Sequence, residues 1–170
     1  MTVLITTFQT WLSHQASNSS DDLIAYLLQT GQLPIDCHCL RHVPVDFNVA
    51  SRQVIAKIAE LQPRLVLCCG MAESRTQLSI EGNGYFQSDY RFTSVPLVQI
   101  ITQTQNTVIS QDAGRFVCNH LYYQVLRHLS NGDRAGTNPS IPCLFIHVPP
   151  LNESNRAAIA ADFLTILKSC

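Results

Sequence analysis

Apolar residues along this chain fall into two rhythms. Near-continuous apolar runs of strand length occur at Val3–Thr6, Arg64–Cys69, Thr107–Ser110 and Pro142–Val148. Runs without polar alternation suit strands buried on both faces, as in parallel sheets. A weaker strand candidate, Asp36–Val43, stands before Pro44. Between these runs the apolar spacing turns helical. Ser20–Thr30 places Leu23, Ile24, Leu27 and Leu28 on one face, with Ser19 or Ser20 able to cap and Asp21 and Asp22 suiting the positive end. Phe47–Leu61 carries Val54, Ile55, Ile58 and Leu61 and stops before Pro63. Val117–Leu129 carries Leu121, Val125 and Leu126, and Asn152–Lys168 carries Ile159, Phe163, Leu164 and Leu167.

The order is therefore β-α-β-α-β, an irregular stretch, then β-α-β-α. It predicts one α/β domain over residues 1–170: a three-layer α/β/α sandwich with a mostly parallel central sheet. Gly70–Val95 and Gly132–Ile141 read as irregular; the first is too long for a plain connector, and such loops are often functional. In a parallel sheet ligands bind beyond the carboxyl ends of the strands. That directs attention to Thr7–Trp11, Gly70–Glu81, Gln111–Cys118 and His147–Leu151.

Composition narrows the picture. Eleven basic against twelve acidic residues give a net charge of −1, which argues against nucleic acid as a partner. No apolar run reaches the ~20 residues that span a bilayer, and the N-terminus has no basic lead of the signal-peptide kind, so no membrane association is expected. Seven cysteines, an odd number, suit reduced thiols in the cytoplasm better than a disulfide framework. Cys37-His38-Cys39 invites a metal reading, but no second half-site follows at a usual spacing, so no metal is expected.

Three residues carry candidate chemistry. Cys118 falls in the first turn of a helix that follows a strand, where unpaired N–H groups and the helix dipole favour a thiolate; the bland alternative is a small buried Cys. His147 closes the strand Pro142–Val148, from which it could take a thiol proton and return one to a leaving amine; alone it would read as a core histidine. Glu81, ordinarily a solvated carboxylate, could orient the imidazole beside a Cys–His pair. A single Gly in Gly70–Arg75 makes a phosphate loop improbable.

These segments resemble pyroglutamyl peptidase I, the pyrrolidone-carboxylate peptidase family of cysteine peptidases. Ala113 through Leu121 (AGRFVCNHL) looks like the nucleophile motif of that family, and Phe145-Ile146-His147-Val148-Pro149 like its histidine motif. Val66 through Glu81 is similar to its glutamate motif, Leu4 through Trp11 to its first strand and loop, and Val43-Pro44-Val45 to the loop after its second strand. The resemblance implies Cys118 as nucleophile, His147 as base and Glu81 as orienting acid. It also implies Phe8, Trp11, Val45, Met71, Phe116 and Val117 as substrate contacts, a small peptide substrate, acyl transfer through a thioester, and no metal or organic cofactor. Family members often associate, so a homo-oligomer is an open expectation.

The departures are specific. Thr7 stands where the family has glycine, Glu73-Ser74 where it has Gly-Gly, and Met71 where bacterial members carry a glutamine that reads the lactam. The chain is also short relative to the family, mainly between Glu81 and Thr107 and after Trp11. Three readings follow: an active hydrolase for pyroglutamyl or similar acyl groups; a non-catalytic or altered-specificity homologue that keeps the triad but has lost pyroglutamyl recognition; and a thiol redox or metal protein using Cys37, Cys39, Cys68 and Cys69.

Overall fold

A computed structural model describes residues 2–131 and 141–170. The elements follow in the order β1 (Val3–Phe8), α1 (Ser19–Gln29), β2 (Cys37–Val43), α2 (Phe47–Leu61), β3 (Leu65–Met71), β4 (Leu78–Glu81), β5 (Asn83–Phe86), β6 (Asp89–Phe92), α3 (Leu97–Ile101), β7 (Thr107–Ser110), α4 (Val117–Asn131), β8 (Cys143–Val148) and α5 (Arg156–Ser169). Six strands form one sheet in the order β2-β1-β3-β8-β4-β7. All neighbours are parallel except β4 and β8, so β4 and β7 run against the other four. The sheet is mostly parallel, as the alternation predicts.

Each face of the sheet packs its own helices. Val3 and Ile5 of β1, Leu65 and Leu67 of β3, and Leu144 and Ile146 of β8 join Leu23, Leu27 and Phe163 from α1 and α5. The alternate residues Leu4, Val66, Cys68, Cys143 and Phe145 join Val54 and Ile58 of α2 and Leu121 and Val125 of α4. Successive side chains of a strand point to opposite faces, so this register also places the chemistry. On β8 it turns His147 toward the α4 side with Cys143 and Phe145. On β4, Leu78 and Ile80 serve the other face, which leaves Ser79 and Glu81 for the α4 side.

The cap of α1 is not the expected Ser19 or Ser20: both lie inside the helix, and Asn18 just before them is the cap. The Asn18 side chain accepts from Ser20 N, and Asp46 accepts from Asn48 N and Val49 N. α2 stops at Gln62, in the left-handed region at φ 43°, just before Pro63. α5 starts later than the predicted Asn152, because Asn152 Oδ1 accepts from Ser154 N and Asn155 N and holds those residues in a turn.

The stretch Gly70–Val95 is not irregular. It holds the end of β3, all of β4 and the β5–β6 hairpin. Four-residue strands of mixed polarity leave little periodic signal. The hairpin lies against α4: Asn119 accepts from Tyr85 N at 2.9 Å and donates to Tyr85 O at 2.8 Å. Of the predicted loop Gly132–Ile141, residues 132–140 lie outside the described residues.

At the carboxyl end of β1 the Thr7 hydroxyl donates to Asp21 Oδ1 at 2.7 Å, and Arg41 donates to both oxygens of Asp21 at 2.8 and 2.7 Å. Thr7 thus ties β1 to α1, and Arg41 ties α1 to β2, beside the candidate site. Burial pushes the Asp21 carboxyl up, but the bonds from Arg41 and Thr7 outweigh it and hold the group below its ordinary value. That stabilisation is fully present above the ordinary carboxylate value of about 4 and is lost as pH falls through the lower folded value. Asp21→Asn is therefore expected to cost about 2 kcal/mol at pH 7, with the gap to wild type closing in strong acid. Urea denaturation of both proteins across pH checks this.

Candidate active site

β7 hands the chain to α4 through a tight turn. Gly114 N donates to Asp112 Oδ1 at 2.9 Å, and Gly114 takes φ +79°, a conformation that favours glycine. α4 begins at Val117, which makes Cys118 its second residue. The bond from His120 N to Phe116 O opens the ladder, so the N–H groups of Cys118 and Asn119 have no partner inside the helix. The thiol differs from the expected thiolate. Burial pushes it up to about 12; its own backbone N–H lowers it, while Cys68 and Glu81 raise it. The helix terminus does not outweigh desolvation here. A thiol raised by burial is better suited to chemistry that a neighbouring base assists.

His147 supplies a ring at the required place. It is buried at the end of β8, and its Nδ1 lies 2.7 Å from Glu81 Oε1. In the β3–β8 register His147 sits opposite Gly70. A Cβ on Gly70 would stand 2.7 Å from Cys118 Sγ and 2.9 Å from Phe145 Cζ, so the sulfur rests directly over this glycine. Cys118 and His147 line the same cavity. Among the described residues no hydrogen bond joins the two side chains. With Nδ1 engaged by the carboxylate, Nε2 is the nitrogen left to accept a proton.

Glu81 is fully buried behind the imidazole. It arrives there by pairing side by side, not at a shared carboxyl edge: antiparallel β4 sets Glu81 opposite Phe145 and Ser79 opposite His147, making Glu81 and His147 diagonal neighbours on one face. Burial raises the Glu81 carboxyl. The hydrogen bond and charge of His147, then Ser110 and Arg75, bring it below the ordinary value. Arg75 Nη1 donates to the same Oε1 at 2.6 Å.

The cavity in front of the pair measures about 490 Å³. Phe8, Trp11, Val45, Met71, Phe116 and Val117 all lie on its wall, together with Arg75. Trp11 and Phe116 pack at 5.6 Å between ring centroids and leave about half or more of their surface open. Met71 Sδ accepts from Ser19 N at 3.4 Å at the start of α1. Glu73 Oε1 lies 3.2 Å from His14 Nε2 and accepts from Gln15 Nε2, so Glu73 ties the loop after β1 to the loop after β3. Among the described residues no three His, Cys, Asp or Glu side chains gather to hold a metal. Burial also pushes Cys37 up to about 11, and raises Cys39 and Cys69. Sequence reasoning passed over the roles of Gly70, Arg75 and Asn119. Gly70 was legible in principle, since a glycine ending an apolar strand marks a close approach.

Comparison with known proteins points in one direction. The profile of the pyroglutamyl peptidase family matches residues 87–162. Pyrrolidone-carboxylate peptidase 1 of Photorhabdus laumondii is 29% identical over 89% of this chain and 80% of its own length. The pyrrolidone-carboxylate peptidase of Brevibacillus brevis is 30% identical over 72% of this chain, a match that spans 66% of its own length. Among solved structures, pyroglutamyl peptidase I of Bacillus amyloliquefaciens superposes with a TM-score of 0.80 at 22% identity, covering 97% of this chain and 94% of that one. A mutant pyrrolidone carboxyl peptidase of Pyrococcus furiosus gives 0.81 at 19%, covering 99% and 97%. At those identities the likeness to solved structures establishes the fold.

The seat of the sulfur over Gly70 has a direct consequence. Gly70→Ala forces Cys118 Sγ or the Phe145 ring to move, and is expected to destabilise the chain by about 1–3 kcal/mol. The alkylation rate of Cys118 by iodoacetamide is expected to change with it. Thermal denaturation and mass spectrometry after brief labelling read the two effects.

Proposed function

We propose that this chain, which belongs to the pyroglutamyl peptidase family, is a cysteine exopeptidase that removes an N-terminal pyroglutamyl or similar small acyl residue from peptides. The observation that carries the proposal is the buried Glu81–His147 pair opening onto the cavity that also holds Cys118 at a helix start. His147 Nε2 takes the proton from the Cys118 thiol as sulfur bonds to the acyl carbon and the carbonyl electrons move to oxygen. The free N–H groups of Cys118 and Asn119 are suited to that oxyanion. Glu81 stabilises the imidazolium and keeps Nδ1 engaged. Collapse breaks the C–N bond while the imidazolium proton passes to the leaving amine. Water, deprotonated by His147, then opens the thioester and Cys118 regains its proton.

A thiol at about 12 fits deprotonation during attack better than a standing thiolate. No cofactor enters these steps. All seven cysteines are unpaired, which suits work in a reducing compartment such as the cytoplasm.

The acyl pocket is apolar and aromatic, which suits a flat lactam ring. Met71 is the residue most suited to set its selectivity. Its thioether is a weak acceptor, occupied by Ser19 N, and donates nothing to a lactam.

A pyroglutamyl anilide is the first substrate to assay. Hydrolysis is expected in the wild type, at background level in Cys118→Ala, and reduced ~10²-fold or more in His147→Gln. Absence of turnover in the wild type would instead favour a homologue that kept the triad without the activity.

Specificity gives a second test. Met71→Gln could keep the Ser19 contact through its carbonyl and turn its amide toward the ring. It is expected to raise the kcat/KM preference for pyroglutamyl over cyclopentanecarbonyl amides by about tenfold or more, because sites that hydrogen-bond a substrate reject analogues lacking the group. A wild-type preference already very large and unmoved by the substitution would assign lactam reading to the backbone instead.

A further inference from the structure

Arg75 is not one of the triad residues, yet it touches both the strand that carries Glu81 and the loop that leads to Cys118. It sits in the turn between β3 and β4, where its own N–H bonds Ala72 O. Its Nη1 donates to Glu81 Oε1 at 2.6 Å; its Nη2 donates to Ser110 Oγ at 3.3 Å and to Asp112 O at 3.0 Å. Ser110 ends β7, and Asp112 opens the turn that leads to Cys118. One guanidinium therefore joins the acid strand to the nucleophile loop. Glu81 needs such a partner: the carboxylate is fully buried, and its Oε2 has no hydrogen-bond partner. A buried charge without a countercharge is driven to its neutral form.

We propose that Arg75 is a positioning residue. Its guanidinium provides the permanent countercharge that keeps Glu81 ionised against His147, and its second arm holds the loop that presents Cys118 to the cavity. This rests on the peptidase reading for its meaning but not for its test.

The charged and titratable groups around the pair come from four segments: Cys68 on β3, Arg75 and Glu73 in the loop after it, Asp112 in the loop after β7, and Cys118 and Tyr122 on α4. Tyr122 faces it through its hydroxyl, which donates to Glu81 O at 3.0 Å. Arg75 is the one cation besides His147 in contact with Glu81 among the described residues. Removing its charge leaves two ways to neutralise the pair: a proton on the carboxyl, or a proton on the imidazole held by an unshielded carboxylate. Both make the Glu81–His147 pair take up a proton at higher pH, so the sign does not depend on which site holds it.

The test is a pH titration of the His147 ring nitrogens by NMR on uniformly ¹⁵N-labelled wild type, Arg75→Gln and Arg75→Lys. In Arg75→Gln the midpoint of the pair is expected to rise by about one pH unit or more. The acid limb of kcat/KM for the pyroglutamyl anilide is expected to move with it. Arg75→Lys, which keeps the charge but loses the fork, is expected to stay within about half a unit of wild type. A midpoint unmoved in Arg75→Gln, with only a lower Tm, would reduce Arg75 to a structural clamp and overturn the proposal. So would an equal shift in both variants, since charge would then not be the cause.

Should Arg75→Gln not fold, Arg75→Met is read in its place. The wild-type Glu81 Cδ resonance is decisive even alone: it must remain that of a carboxylate at neutral pH, and a protonated carboxyl there overturns the proposal. If the wild type hydrolyses no acyl amide, the peptidase reading fails, while the ring titration still decides the role of Arg75.

Discussion

A single carboxylate, Glu81, sets the terms for the structure around it. It has no exposure to solvent, and an ionised carboxylate in such a place is tolerated only when paired and hydrogen-bonded. Its partners come from distant parts of the chain: His147 from β8, Arg75 from the turn before β4, and the Tyr122 hydroxyl of α4 on the backbone of Glu81 itself. β4 meets those requirements lying antiparallel against β8, the one antiparallel pairing of the six-stranded sheet among the described residues. That pairing sets Glu81 and His147 on the same face two positions apart.

The same packing shapes the behaviour of the sulfur. Cys118 is pressed over Gly70 against Phe145, and the desolvation that makes the site tight also keeps the thiol protonated. A protein that held a standing thiolate here would carry a reactive group at rest. Here burial holds the Cys118 thiol up, on a cavity shared with an imidazole whose Nδ1 is committed to a carboxylate. In the proposed reaction such preorganised groups would act on the charges that form during it, where they act most strongly.

Much of this was legible in the sequence, because the signals were local or strongly periodic. The runs around Val3–Thr6, Arg64–Cys69 and Pro142–Val148 are central strands, and α2 occupies the range its spacing and Pro63 predict. Cys118 at a helix start and the six pocket residues followed from collinear motifs. What stayed hidden depends on distant pairing or on competing physical effects. β4, β5 and β6 are too short and polar to show a period. Arg75 acts only through partners at positions 81, 110 and 112. The Cys118 thiol could be read from the helix terminus but not from its burial, and burial outweighs the terminus. Asn119 looked like a motif letter and proved to be the clamp that fixes the β5–β6 hairpin to α4.

The proposed chemistry requires that the sulfur of Cys118 become covalently acylated. Rapid acid quench during turnover of a pyroglutamyl ester, followed by peptide mapping and mass spectrometry, measures this directly. The account predicts a transient pyroglutamyl adduct on the peptide carrying Cys118, absent in Cys118→Ser and longer-lived in Glu81→Gln. Turnover of the same ester with no adduct on that peptide, or with the adduct on another of the seven cysteines, would contradict it.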